Sequence, residues 1–259
     1  MSNTIITRQE NNVTWLWLNR PTVFNSFNRE MAFALQQELD RCESDTEIRA
    51  VVLTGSGKAF CAGQDLAEAS DPNGPGLQKI LSEHYNPIIT RIRNLSKPVV
   101  AAVNGVAAGA GANIALCCDV VVAAESASFI QAFSKIGLIP DSGGTFFLPR
   151  LIGFQKASAL MMMADKVSAA EAERMGMLYK VFAGDALESE TKKIAEYLAA
   201  MPTKGFALTK RALNNAMNNT LDAQLALEED LQIQCGLSHD YKEGVSAFLE
   251  KRKPQFKGE

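Results

Sequence analysis

One aspartate is a candidate for acid–base chemistry. Asp141 lies in the segment GLIPDSGGT (residues 137–145), with apolar stretches on both sides. If a cleft lies there, desolvation of the carboxylate raises its pKa toward that of a general base at neutral pH. An aspartate beside proline and glycine is also typical of an ordinary turn, and this interpretation stays open. Imidazole chemistry has little support, because the 259 residues include only two histidines, His84 and His239, at distant positions.

Two glycine-rich segments could supply backbone N–H donors. They cover residues 55–66 and 104–113, and each follows a predicted strand. A strand, a glycine turn and then a helix leave unpaired N–H groups at the start of the helix, where they can stabilise negative charge. Tight turns and close packing of helix on strand would explain the same glycines. The pattern is thus suited to holding an oxyanion, with a purely structural role as the alternative.

Familiar phosphate and nucleophile motifs do not fit these loops. Lys58 follows Gly55-Ser56-Gly57 without the spacing of a Walker A loop, and Ile114 follows Gly109-Ala110-Gly111 where a dinucleotide fingerprint needs glycine or alanine. Pro140 stands where a nucleophile elbow needs glycine. The cysteines, which lack CxxC spacing, predict neither a metal site nor a disulfide framework: Cys42, Cys61, Cys117, Cys118 and Cys235.

Composition and charge favour a cytoplasmic protein without nucleic-acid or membrane partners. The formal net charge is −3 with both signs interspersed, so no basic surface for nucleic acid is expected. The most apolar tract, residues 99–124, contains Asn104, Asn113 and Asp119 and is a poor membrane span. The first residues lack a basic start followed by an apolar stretch, so no signal peptide is expected.

The elements that must position these loops alternate in type. Strands are predicted over residues 13–18, 48–53, 98–103 and 120–124, and a helix over Met31 to Cys42 with Ser26 or Asn28 as its cap. Residues 71–76 read as a mobile loop, and beyond residue 154 the pattern becomes helical, with a Ser168–Glu171 capping box. Helices are predicted over residues 203–218, 220–236 and 239–252. The helix over residues 220–236 has more leucines than one buried face needs, and either a subunit interface or the core of the chain would explain the surplus. These leucines are Leu221, Leu225, Leu227 and Leu231.

The chain resembles the crotonase (enoyl-CoA hydratase/isomerase) superfamily almost from end to end. The resemblance rests on ordered motifs: LNRP (18–21), NSF (25–27), FCAGQDL (60–66), KPVVAAVNG (97–105), CD (118–119), GLIP with GG (137–144) and EGVSAFLEKR (243–252). It implies an α/β fold, a spiral of ββα units over residues 1–200, and a helical oligomerisation region over residues 201–259. It also implies an acyl-CoA thioester substrate, no cofactor apart from the CoA of the substrate, and a homotrimer or a dimer of trimers.

The resemblance also implies roles for particular residues. The thioester oxygen would be held by the backbone N–H groups of Gln64 and Ala110, the second of which is usually glycine in the family. The segment with Ala62, Asp65 and Leu66 would contact CoA. Phe248 and Lys251 would reach CoA from a neighbouring subunit. Val23 stands where many relatives carry a basic residue beside the CoA phosphates, so that phosphate contact is missing or supplied elsewhere.

The acid–base positions depart from the hydratase pattern. Hydratases of the family use two glutamates, and here those positions are Asn113 and Phe133, neither of which is a general base. Asp141 instead occupies a loop position where isomerases and dehalogenases of the superfamily place a carboxylate. Within the family, residues 104–111 and 132–141 are most similar to the isomerases of phenylacetate degradation. This resemblance implies conversion of 1,2-epoxyphenylacetyl-CoA to its oxepin, a shift of an enoyl double bond from Δ3 to Δ2, or both. A fatty-acid enoyl-CoA hydratase and a non-catalytic acyl-CoA-binding member remain the alternatives. The acyl pocket is expected to involve residues 67–85, Phe133, Phe146 and Phe147.

Overall fold

The computed structural model describes residues 3–259 as two sheets surrounded by helices. The larger sheet has the order β1-β2-β3-β5-β7-β10 and the smaller has the order β4-β6-β8-β9. The strands are β1 (Ile5–Glu10), β2 (Val13–Leu18), β3 (Ala50–Gly55), β4 (Ala59–Cys61), β5 (Val99–Val103), β6 (Val106–Ala108), β7 (Val120–Ala124), β8 (Ser128–Ile130), β9 (Lys166–Ser168) and β10 (Lys180–Phe182). Strand β1 is antiparallel to β2, and every other pair in the larger sheet is parallel.

Successive strands alternate between the two sheets. From β3 to β8, each strand of the larger sheet is followed at once by a strand of the smaller one, so that β4, β6 and β8 lie side by side in parallel. Helical segments then return the chain to the larger sheet. This arrangement confirms the predicted spiral of ββα units, and it places the loops after β4 and β6 next to each other.

Helices cover the sheets and form the C-terminal region. They are α1 (Arg29–Ser44), α2 (Leu66–Ala69), α3 (Gly76–Lys79), α4 (Asn86–Asn94), α5 (Ala110–Leu116), α6 (Gly144–Ile152), α7 (Phe154–Met163), α8 (Ala169–Arg174), α9 (Leu187–Ala200), α10 (Thr203–Ala216), α11 (Leu221–Gly236) and α12 (His239–Glu250). A π-helical turn, Ile80–Tyr85, joins α3 to α4. Within residues 3–259, no helix is both long enough and apolar enough to cross a membrane.

The core explains why the central strands are apolar throughout. Every residue of β3 and β5 is buried, as expected for parallel strands covered on both faces. The C-terminal helices are tied to this body by Arg49, which donates hydrogen bonds to Met201 O, Thr203 Oγ1 and Phe256 O at 2.7, 3.0 and 2.8 Å. A second tie is the ion pair of Lys210 with Asp119, at 2.7 Å.

Several sequence-based boundaries are confirmed and others are wrong. Asn28 rather than Ser26 caps α1, and the Ser168–Glu171 capping box is present. Strand β3 begins two residues later than predicted and continues through Gly55. The first glycine-rich segment contains β4 and the second contains β6, so they are not simple turns, and β9 and β10 interrupt the region predicted as helical. These strands are three residues long and depend on pairing with distant strands, which no local pattern reveals.

The leucine-rich helix α11 is only partly packed within one chain. Leu231 is buried at 4 % exposure, whereas Leu221 and Leu225 are exposed at 73 % and 53 %. Burial in the core of one chain is therefore the wrong explanation for Leu221 and Leu225. The exposed leucines continue along a surface that carries Ile233 and Leu237.

Candidate active site

The first candidate oxyanion donor is the backbone of Gln64. Phe27 N–H donates to Gly63 O at 2.7 Å, and Asp65 N–H donates to Phe27 O at 2.8 Å, which together form a parallel bridge between Phe27 and Gln64. In such a bridge the N–H of Gln64, the residue between Gly63 and Asp65, points away from the segment that contains Phe27. Among residues 3–259, the Gln64 N–H accordingly has no acceptor.

The second candidate donor, Ala110, lies beside the first. A side-chain carbon built on Gly63 would lie 3.5 Å from Ala110 N, which shows how close the loop after β4 comes to the loop after β6. Ala110 is the first residue of α5, and its N–H has no acceptor in the described chain. Gly109 turns the backbone with φ +52°, and Gly111 allows the helix to touch β4, since a Cβ there would meet Cys61 O at 2.4 Å. The two predicted N–H groups therefore come together.

An aromatic side chain lies beside the glycine that precedes the second donor. Phe133 is 6 % exposed, and its Cζ lies 3.6 Å from the Cβ position that Gly109 leaves open. An apolar ring offers water no hydrogen-bond partner, and a drier surrounding strengthens any hydrogen bond to a developing charge. Phe133 thus forms an apolar wall beside Gly109, at the position where the family resemblance implies a glutamate in hydratases.

Asn113 links the oxyanion helix to the Asp141 loop. Its Nδ2 donates to Asp141 O at 2.9 Å, and its Oδ1 accepts from Gln131 Nε2 at 2.8 Å. Asn113 is 1 % exposed, and a Cβ on Gly144 would lie 2.4 Å from Nδ2, so the amide is tightly enclosed. The side chain at this position is a structural tether, and it has no free polar atom with which to activate water.

The Asp141 carboxyl group is desolvated but accepts a hydrogen bond from its neighbour. Burial raises the pKa of Asp141, and the hydrogen bond from Ser142 Oγ to Oδ1, at 2.8 Å, opposes that rise. Ser142 is held in the left-handed region, with φ +51°, and it is 3 % exposed. A carboxylate of raised pKa is a better proton acceptor than an exposed one, as a general base requires.

The nearby thiol cannot compete as a nucleophile. Cys61 ends β4, directly before the oxyanion loop, and burial raises its pKa to about 12. A thiol with that pKa is protonated at neutral pH, and the thiolate is the reactive form. The site therefore combines two backbone donors with one carboxylate.

Asp65 mainly holds the first loop in place. Its Oδ1 caps α2 by accepting from Ala67 N–H at 3.0 Å, and its Oδ2 pairs with Arg20 at 2.8 Å. Arg20 also donates to Ser26 O, and Asn25 accepts from Arg20 N–H at 2.9 Å. This cluster places the segment that brackets Gln64, and sequence patterns did not indicate the buried amide of Asn25.

The residues expected to contact CoA belong to two separate elements, the loop after β4 and helix α12. Ala62 and Leu66 are exposed at the edge of the oxyanion loop, with Leu66 at 62 %. Phe248, at 83 % exposure, belongs to α12, and Lys251 caps that helix in the left-handed conformation. Helix α12 packs beside α11, and its residues line a cavity of about 440 Å³ together with Pro202 and Phe256. Their expected contact with CoA from another subunit remains a prediction.

Sequence analysis missed three residues that organise the site. Gln131 orients Asn113, Ser142 hydrogen-bonds the carboxylate, and Asn25 donates to Ser56 O and Ala59 O at 2.9 and 2.8 Å. Each acts through a side-chain hydrogen bond that the sequence motifs did not reveal. Asn25 alone had a local signal, because it lies in the quoted NSF motif and asparagine tolerates the left-handed conformation seen there, with φ +56°.

Comparison with known proteins identifies the family of this chain. The family described as enoyl-CoA hydratase/isomerase matches residues 8–259. The chain is 49 % identical to "1,2-epoxyphenylacetyl-CoA isomerase" of Escherichia coli over 100 % of both chains. It is 48 % identical to a "Probable enoyl-CoA hydratase" of Rhodobacter capsulatus, with 93 % of each covered. The crystal structure of an enoyl-CoA hydratase from Bacillus anthracis superposes with a TM-score of 0.92 at 35 % identity, covering 99 % of this chain and 100 % of that one. This chain belongs to the enoyl-CoA hydratase/isomerase family.

Proposed function

We propose that this chain is an acyl-CoA isomerase in which Asp141 moves a proton while the Gln64 and Ala110 N–H groups hold the thioester oxygen. The observation that carries the proposal is a single desolvated carboxylate, Asp141, linked through Asn113 to the helix that begins at Ala110. The identity with a relative named as 1,2-epoxyphenylacetyl-CoA isomerase supports the same reaction class.

The chemistry follows from where negative charge develops. Asp141 removes a proton from the carbon next to the thioester carbonyl, and the electron pair of that C–H bond moves onto the carbonyl oxygen. Two preorganised N–H donors stabilise the resulting enolate, each by roughly 3 kcal/mol. The proton then returns from Asp141 to the γ carbon, so a Δ3 double bond becomes a Δ2 double bond with no change in composition.

A ring-epoxide thioester fits the same scheme. Removal of the α proton is coupled to cleavage of the bond between the two epoxide carbons, and the proton returns to a ring carbon to give the oxepin isomer. The apolar wall of Phe133 suits a ring or a hydrocarbon chain, and it excludes the water that would add to either. Both substrates are therefore proposed, and neither requires a cofactor beyond the CoA that the substrate carries.

Hydration is the second candidate, because several of the relatives are named hydratases. Hydratases need carboxylates to position and activate water, whereas Asn113 has both its amide groups engaged and Phe133 is apolar. We therefore expect the chain to hydrate crotonyl-CoA far more slowly than the roughly 10 s⁻¹ typical of enzymes. A rate near that value would favour the hydratase.

Replacing Asp141 by asparagine tests the proposal. Asp141→Asn should lower kcat for 3-hexenoyl-CoA and for 1,2-epoxyphenylacetyl-CoA by roughly 10²–10⁴, the usual contribution of a general base. Binding of a saturated acyl-CoA, measured by calorimetry, should persist because the backbone donors are intact. The matched control is Asp185→Asn in an exposed turn, which should retain parental rates. Parental turnover by Asp141→Asn would contradict the assignment.

We also propose that the chain acts as a homotrimer or a dimer of trimers in the cytoplasm, free of nucleic-acid and membrane partners. The exposed apolar side chains of α11 and α12 support association, since a monomer rarely leaves such a surface in water. In that assembly, Phe248 and Lys251 would complete the CoA site of a neighbouring subunit. Sedimentation equilibrium tests the assembly, and a monomer at micromolar concentration would contradict it.

A further inference from the structure

A buried tyrosine hydroxyl in the described chain has no hydrogen-bond partner. Tyr85 is 0 % exposed, and its Oη contacts neither a donor nor an acceptor among residues 3–259. Leaving such a group unpaired carries the full cost of removing it from water. Tyr85 also ends the π-helical turn Ile80–Tyr85, and π-helical turns occur frequently at functional sites. A ligand that pairs the hydroxyl would recover this cost.

Tyr85 contacts the residue that brackets the oxyanion donor, and its helix reaches the Asp141 loop through a neighbouring side chain. On one side its ring meets the Phe27 ring edge-on, with centroids 5.8 Å apart, and Phe27 is the residue whose backbone brackets Gln64. On the other side, Ile89 lies one helical turn beyond Tyr85, and its Cγ2 is 3.8 Å from the Cβ position of Gly143. Gly143 is two residues from Asp141, so one face of this helix contacts both Phe27 and the Asp141 loop.

Two further unpaired oxygens lie around the same site. They are Gln64 Oε1, on the residue that supplies an oxyanion donor, and Gln131 Oε1, on the residue that orients Asn113. Amide oxygens only accept hydrogen bonds, whereas a tyrosine hydroxyl can donate one. Burial raises the pKa of Tyr85 well above its ordinary range, so the phenol keeps its proton at neutral pH. Of these three unpaired groups, only the Tyr85 hydroxyl can donate a hydrogen bond.

We infer that the Tyr85 hydroxyl donates a hydrogen bond to an oxygen atom on the acyl group, the epoxide oxygen of a ring-epoxide thioester, and so selects oxygenated substrates over hydrocarbon enoyl thioesters. The inference rests on the proposed isomerase function. Side chains cover the hydroxyl in this structure, so the acyl group reaches it by displacing one of them. A hydrocarbon chain leaves the donor unpaired, and sites with an unpaired buried polar group discriminate strongly against such substrates.

Tyr85→Phe tests the inference because it keeps the ring and removes only the hydroxyl. We expect kcat/KM for 1,2-epoxyphenylacetyl-CoA to fall by roughly 10²-fold or more, and kcat/KM for 3-hexenoyl-CoA to stay within about threefold of the parent. The melting temperature should not fall, because the variant removes a group that has no partner. Tyr179→Phe, at an exposed tyrosine, is the matched control and should change neither rate.

The two substrates separate this inference from the proposed function. Equal losses on both substrates, or no loss on the epoxide, would overturn the role of Tyr85 while leaving the isomerase proposal in place. A parent enzyme that isomerises 3-hexenoyl-CoA but not the epoxide would do the same. A parent enzyme that isomerises neither substrate would contradict the proposed function itself.

Discussion

Replacing Ala110 by proline removes one oxyanion donor without breaking a protein hydrogen bond. Ala110 is the first residue of α5, and its N–H has no acceptor among the described residues. Proline is well tolerated at this helix position, since its fixed φ suits the helix and its missing N–H would be unpaired anyway. The preceding Gly109 has ψ −127°, which lies outside the α region that a following proline disfavours. The substitution is therefore expected to leave the fold intact.

The expected loss follows from the value of one donor. An oxyanion-hole donor contributes roughly 3 kcal/mol in the transition state. At 1.36 kcal/mol per tenfold in rate, Ala110→Pro should lower kcat for 3-hexenoyl-CoA isomerisation by about 10²-fold. This figure is a lower bound, because the proline Cδ also occupies space toward which the N–H pointed.

The assay needs a control that keeps the donor. Ala110→Gly retains the N–H and changes only a methyl group and helix propensity, which costs up to about 1 kcal/mol of stability. Its kcat should stay within about threefold of the parent. Thermal unfolding of Ala110→Pro should resemble that of Ala110→Gly. A parental rate for Ala110→Pro, or an equal loss in Ala110→Gly, would refute the assignment of this N–H as an oxyanion donor.

Two further changes probe the Asp141 loop. Ser142→Ala removes the hydrogen bond that lowers the pKa of Asp141, so that pKa should rise. Activity needs the carboxylate and is lost as pH falls through its pKa, so the acid limb of the kcat/KM profile should move to higher pH. An acid limb that stays in place or moves to lower pH would count against Asp141 as the base. Asn113→Ala should cost roughly 2–4 kcal/mol in urea unfolding, since it leaves Asp141 O and Gln131 Nε2 without their partner, and should lower kcat more than it raises KM. A stability change below about 0.5 kcal/mol, the scale of an ordinary surface substitution, would show that the tether is unimportant.

The sequence alone determined the features that depend on neighbouring residues. The apolar run of β2, the spacing of Met31, Leu35 and Leu39 on α1, and the Ser168–Glu171 capping box are local patterns, and the structure confirms all three. Ordered motifs along the chain indicated the family, which the comparisons confirm. With that resemblance, the types of Asn113 and Phe133 led to the expectation that hydration is disfavoured, which remains a prediction.

Tertiary structure decided what depends on distant contacts. The strands β4, β6 and β8 are three residues long, and they form only because they pair with one another across long stretches of chain. The raised pKa of Asp141 arises from burial by other elements, and the unpaired hydroxyl of Tyr85 is defined by the absence of any partner within reach among residues 3–259. Sequence sets residue type and local conformation, whereas desolvation and hydrogen-bond pairing are properties of the assembled neighbourhood.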